Sequence, residues 1–492
     1  MRHQILNRAG FGGDAWTRGR IDALGLIGFL DEQLAPETIS EASNLALTSR
    51  LGPLEPPDNL NELVQAHLVR GIYARRQLEQ AVTMFWDNHF NTDWNEVAGF
   101  LYVYYSPQLD PTFPNKWFRN TTELHHRQFE EFRQLAFNGD FREIVWASAT
   151  GPTMLIYLDT IENKKLRPNE NYARELLELY TMGVDGGYTQ RDVEELARVL
   201  TGWTVCKKSP ANEGNPLAPC VDPFFGGTSD WTGHFDVNEH DSGQKVLFEG
   251  TPYEAVIPDT SGNPLAGADD LSLAIDAIVA HPATPRFIST KLLEAFVTEE
   301  PTEEMIDAVV LRWQQTDGTL REVLRAVFET DEALAPDLAG DKIKTPFEHI
   351  VSSYRGLSAS TNFISQPLIE NYLYVMGHNV HRNPVPTGYA ERGRSWINTN
   401  AVLDRQKFGI DLATNFLYGA NPASLVAGLT DPEAIVGVFA DRLLGGQISP
   451  AQRARAVSFL TTNDAGNPAP FDSARINEVA AYILGLAQFL EQ

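Results

Sequence analysis

The chain is short of cysteine, of basic charge and of long apolar runs, and each shortage removes a class of function. Cysteine occurs twice in 492 residues, as Cys206 and Cys220. Neither belongs to a Cys-x-x-Cys spacing, so a zinc–thiolate site is not indicated. Lys and Arg number 39 against 65 Asp and Glu, a formal charge of -26. Such a field repels phosphate backbones and anionic head groups, and no nucleic-acid partner is expected. No stretch approaches the roughly 18 uninterrupted apolar residues of a spanning helix, which argues against an integral membrane segment. Missing too are a Gly-x-Ser-x-Gly elbow, a Gly-x-x-x-x-Gly-Lys-Ser/Thr phosphate loop and a His-Glu-x-x-His metal motif. Gly10-Phe11-Gly12-Gly13 is too short, and unframed by a strand, to cradle a dinucleotide. Serine-triad hydrolysis, P-loop chemistry and Rossmann redox chemistry are therefore set aside.

What is present is an ordinary globular composition, 43% hydrophobic and 21% charged, able to build a substantial core. Apolar spacing predicts a mainly α fold, a large multi-helix body with a loop-rich insertion carrying at most a short β-hairpin. Leu60 to Trp86 reads as a long core helix, broken at most once. A second helix from Thr122 to Phe137 is expected to end at Asn138-Gly139 with a left-handed cap. Helices at Asn171–Met182 and from Thr189 onward form a hairpin, the second opened by a Thr189–Asp192 capping box. Thr284-Pro285 and Thr319–Glu322 read as further helix starts. The organisation expected is residues 1–203, an insertion over 204–268 and residues 269–492, together one unit. Inside the insertion only short extended pieces such as Lys245–Phe248 look strand-like, and a bridge between Cys206 and Cys220 is favoured over two free thiols.

Three segments carry the densest chemistry. Asn169-Glu170-Asn171-Tyr172-Ala173-Arg174-Glu175-Leu176-Leu177-Glu178 opens a helix with acids, amides and an arginine on neighbouring faces. Either it is a solvated ion-pair ladder, or a polar wall with Glu170 or Glu175 as acid/base or metal ligand and Arg174 holding an anionic group. Phe85-Trp86-Asp87-Asn88-His89-Phe90-Asn91-Thr92 joins a core helix to a polar cluster suited to a pocket floor, with His89 as a structural hydrogen-bonder or as a base. His234, Asp236, His240 and Asp241 lie within eight positions, with Lys245 close behind. His240 and Asp241 are the metal-ligand candidates there, against a hydrated turn.

These blocks, with the opening His3–Gly12, Pro152–Asp159, Tyr188–Val193, Ala197–Trp203 and His281–Thr284, resemble one bacterial family, the domain of unknown function numbered eighteen hundred. The likeness runs in order from residue 3 to about residue 410. It implies a mostly helical protein, commonly exported and often by the twin-arginine route. That places the chain outside the cytoplasm, after a leader it does not contain, and agrees with a disulfide. Asp87 stands where the family often has histidine, and Tyr180 where histidine or phenylalanine is common.

The expectation is an enzyme acting by acid/base or metal-assisted chemistry, hydrolysis or elimination, on a polar small molecule or polysaccharide. Its site would gather His89, Asn169, Glu170, Asn171, Arg174, Glu175 and Lys245, with His240 and Asp241 for a divalent metal ion, the one cofactor considered. The alternative is a non-catalytic secreted surface or assembly component in which the same residues form a structural polar network. A catalytic set borders a pocket, whereas a structural set is mutually satisfied and closed.

Overall fold

The computed structural model describes residues 1–105, 113–221, 229–330, 333, 335, 340, 342–362, 365–463 and 465–492. The mainly α expectation holds: helices form almost all of the regular structure, with two small antiparallel ribbons. No helix among the described residues is long and apolar enough to cross a membrane.

The long helix expected from Leu60 is two helices, Leu60–Tyr73 and Gln77–His89. Its break falls at Ala74, whose backbone is extended. The Gln77 amide stitches the gap, donating to the carbonyls of Gly71 and Ala74 at 3.0 and 2.7 Å. The second expected helix starts earlier and spans Phe113–Asn138. Gly139 is not left-handed as expected. The chain leaves that helix by pairing with residues 318–320, with Leu320 N–H donating to Gly139 and Phe141 N–H to Gly318. That bridge fixes the exit without a positive φ.

Capping chemistry was legible at one of three predicted starts. Thr189 and Asp192 form the expected box on helix Gln190–Val199. Thr319 caps nothing, because its hydroxyl donates to Thr316 C=O. Thr284 lies inside a helix that begins at Ala283, and its hydroxyl donates to Ile278 C=O of the preceding helix Asp270–Ala280. In both, a nearby carbonyl competes successfully for the hydroxyl.

In the insertion, β1 (Trp203–Lys208) pairs with β2 (Asp230–Phe235), and β3 (Lys245–Leu247) with β4 (Ala255–Ile257). The β3–β4 ribbon matches the strand-like Lys245–Phe248 stretch, whereas β1–β2 went unread in a Gly- and Pro-rich background. Cys206 of β1 and Cys220 form the disulfide, with Cα atoms 5.7 Å apart.

Two large apolar clusters make the core. One joins Ile5, Phe29, Trp86, Phe132, Leu155, Tyr180, Leu196, Ile275 and Leu292. The other joins Leu63, Ile72, Phe347, Tyr354, Phe408, Phe439 and Val479. Helix Leu60–Tyr73 packs with the second although the next helix packs mainly with the first, so the chain crosses between them at Ala74. A cavity of about 100 Å³ lies where they meet, lined by Phe85 and Phe296 from one and Phe11, Phe347 and Val380 from the other.

Candidate functional site

The helix opened by Asn171 spans Asn171–Glu175 and then widens into a π-helical turn, Leu176–Thr181. At its start, Arg174 bonds Glu170 at 2.9 Å and the Gln190 amide oxygen at 2.8 Å. Gln190 returns a bond to Glu170 at 2.8 Å, which closes a three-member surface ring. About two-fifths of the Arg174 and Glu170 side chains are exposed, 39% and 40%. Asn169 and Asn171 are spent on backbone: Asn169 Oδ1 accepts from Asn171 N–H, and both amides donate to the carbonyls of Asp159 and Leu158. Glu175 is half-buried, and burial, then the charge of Glu178, raises its carboxyl above the usual range.

His89 does not join this helix at a pocket. It is 1% exposed and walled by Phe85, Trp86, Phe90 and Tyr180. Its Nε2 donates to Tyr180 C=O at 2.9 Å. That carbonyl lies in the last turn of the π-helical segment, where the final C=O groups have no helical N–H ahead of them. Burial and the charge of Lys291 hold the imidazole neutral, far below its ordinary pKa.

His240, Asp241 and Lys245 form a third, separate group. His240 Nδ1 donates to Thr201 C=O at 2.8 Å, and Nε2 faces Asp270 Oδ2 at 3.1 Å and Lys245 Nζ at 3.3 Å. Lys245 Nζ also lies 2.5 Å from Asp270 Oδ2 and donates to Asp241 C=O. The side chains of His240, Lys245 and Asp270 are at most 1% exposed. Asp241 turns outward to Arg198, bonding it at 2.8 and 3.3 Å. His240 and Asp241 therefore do not converge on a common ion position: one faces the lysine–aspartate pair, the other an arginine.

Among the described residues, one set of three metal-binding side-chain types has its donor atoms within 4.8 Å: Cys206, Cys220 and His234. Both sulfurs are joined in the disulfide and offer no thiolate.

The three predicted groups are thus apart: a surface ring, a core histidine and a sealed triad. The structure gathers a different set around the cavity between the two clusters. Asp87, Asn88 and Asn91 come from the block that sequence reading singled out, and His378, His381, Glu348, Tyr389, Glu391 and Trp396 from the far end of the chain. The amides of Asn88 and Asn91 latch the two together. Asn88 donates to Tyr389 C=O and to Glu391 at 2.9 and 2.8 Å, and Asn91 donates to the carbonyls of Asn383 and Val385. Gly388 is required at this latch, because a Cβ there would sit 2.2 Å from Asn88 O.

His378, Tyr389 and Trp396 stack into an aromatic wall with ring centroids 4.8 to 5.3 Å apart. Carboxyls pushed in opposite directions meet in this cavity. Burial pushes the Asp87 carboxyl up to about 7, and burial raises Glu391 as well. Glu348 goes the other way: burial opposes its charge, but Lys342, the neighbouring Gln492 amide and the hydrogen bond from Thr345 N–H at 2.7 Å together outweigh it. Burial lowers His378 and His381 to about 4. Sequence reading had no signal for the C-terminal half of the set, since His378 to Trp396 sits in an irregular stretch with no recognisable spacing.

No curated protein and no solved structure matches the chain. The model of a family described as "Protein of unknown function (DUF1800)" matches residues 4–490, and the chain belongs to that family.

Proposed function

We propose that the cavity between the two apolar clusters is an acid/base site for a small polar, carbohydrate-like group, with Asp87 as the proton-exchanging carboxyl. The observation that carries this reading is a pair of carboxyls lining one cavity whose surroundings drive them apart, burial raising Asp87 to about 7 and Lys342 helping to lower Glu348. Environments that drive two acids apart in this way supply a proton donor and a charge-stabilising carboxylate at neutral pH. The aromatic wall offers the apolar face that a sugar ring stacks on, and about 100 Å³ admits one such group or several waters. Hydrolysis or elimination is the matching reaction class. The Cys206–Cys220 disulfide supports an oxidising, extracytoplasmic location.

A second reading, a structural polar network, is favoured for the motif residues outside the cavity, because the His240 triad is sealed and the Arg174 ring is closed on itself. The two readings concern different residues and coexist.

The test is a melting-temperature panel with glucose, galacturonate and N-acetylglucosamine on the native chain, Trp396→Ala and Asp87→Asn. A rise with at least one sugar that disappears in both variants supports the cavity site. A panel without any rise, or a rise that both variants retain, overturns it.

A further inference from the structure

The buried triad at the base of the insertion is unused by the cavity chemistry, and its geometry points to a covalent bond. We propose that Lys245 and Asp270 condense spontaneously into an intramolecular isopeptide that staples β3 to helix Asp270–Ala280.

Four observations carry this. Lys245 Nζ lies 2.5 Å from Asp270 Oδ2, one bond from the carbonyl carbon it would attack, and the two side chains are 0% and 1% exposed. Near-contact in a fixed geometry replaces a bimolecular encounter. Next, His240 donates from Nδ1 to Thr201 C=O, so in the neutral ring Nε2 bears the lone pair. That lone pair faces Asp270 Oδ2 at 3.1 Å and Lys245 Nζ at 3.3 Å, so it is placed to take a proton from the amine and pass it to the carboxyl oxygen. Transfer of a proton from Nζ to the carboxyl within this sealed group leaves no charge buried. Third, Asp270 Oδ1 is buried without a partner, which costs far less for a neutral carbonyl than for a carboxylate. Last, close-packed glycines hold His240 in place. A Cβ at Gly267 would come within 2.5 Å of its Cδ2 and 2.8 Å of its Nε2, while Gly202 packs on the His240 backbone, where a Cβ would lie 3.1 Å from N.

The step balances without any other reagent. Nζ of the neutral amine bonds to Cγ of the protonated Asp270 side chain. His240 Nε2 takes one amine proton and delivers it to the Oδ2 hydroxyl, and the Cγ–Oδ2 bond breaks with release of water. Oδ1 remains as the amide oxygen. The one hydrogen left on Nζ keeps its bond to Asp241 C=O, where Lys245 already donates. Lys407 and Asp411 make a comparable pair on the surface, with the lysine 62% exposed, and solvent keeps that pair ionic.

The consequence is a second staple in the least apolar part of the chain, alongside the Cys206–Cys220 bridge. Denaturing mass spectrometry of the reduced full-length protein tests it. The native chain should be lighter than its sequence by one water, and a tryptic digest should yield a branched peptide joining the Lys245 and Asp270 segments. Lys245→Arg and His240→Gln should each regain the full sequence mass, and Lys407 should be cleaved normally. A native chain of full sequence mass, with Lys245 cleaved by trypsin and Asp270 in an unbranched peptide, overturns the proposal whatever the variants do.

Discussion

Asp87 Oδ2 and His381 Nδ1 face each other at 3.4 Å on the cavity wall. Burial raises the first to about 7 and lowers the second to about 4, so near neutral pH they are a carboxyl and an uncharged imidazole. His381 Nε2 meets His67 Nε2 at 2.8 Å, and one of those nitrogens must donate to the other. If His381 donates there, its Nδ1 accepts from the Asp87 acid. If His67 donates, His381 Nδ1–H serves the Asp87 carboxylate. The protonation state of Asp87 and the tautomer of His381 change together.

Asp87→Asn should stabilise the protein at pH 8 by about 2–4 kcal/mol, since one unit of pKa is roughly 1.4 kcal/mol. The sign follows from the raised folded-state value. Asp87 favours folding below its unfolded value near 3.8, and that advantage is lost as pH rises through about 7. Urea unfolding at pH 8 and pH 4 checks this, with the gain expected at pH 8 and absent at pH 4.

Acid should act in the opposite direction through the histidines. Burial holds His67, His89, His125 and His349 well below their ordinary value, and His378 and His381 at about 4. Their contribution is complete above the unfolded value near 6.5 and is lost as pH falls toward 4 and below. Melting temperature followed from pH 7 to pH 4 should drop steeply, and His378→Gln should flatten the drop.

Two residues that looked alike in sequence should separate on mutation. His89→Ala empties a site enclosed by four aromatic rings and orphans Tyr180 C=O, at a cost of about 3 kcal/mol. Arg174→Ala removes a partly exposed ion pair and should change stability by about 0.5 kcal/mol or less. Chemical denaturation of the two variants compares them directly.

Cys206→Ser opens a loop with a separation of 14 residues, and the lost constraint on the unfolded chain is worth about 3 kcal/mol. The native protein under reducing conditions should show the same loss, and reductant should leave the variant unchanged.

Local rules carried the reading of the fold a long way. Helix Gln190–Val199 was legible because Thr189 and Asp192 meet through backbone bonds three residues apart. The helix expected from Thr319 does start at Leu320, but without the capping box, and the start expected at Thr284 falls inside a helix begun at Ala283, because the carbonyls of Thr316 and Ile278 captured the two hydroxyls. Candidate sites suffered more, since partnership there is long-range. Lys245 was visible in sequence, but Asp270 lies 25 residues on with no motif between them. Asp87 was quoted in its block, yet His381, 294 positions later, gives it a role. Arg174 found Gln190, a residue with nothing unusual around it.

The central claim is that Asp87 holds a proton near neutral pH at the wall of the cavity. Infrared difference spectra of the native protein against Asp87→Asn, recorded through a pH titration, read this carboxyl alone. The account predicts a protonated-carboxyl band, absent from the variant, that disappears with a midpoint of about 7. A midpoint near 4, the ordinary aspartate range, would contradict it.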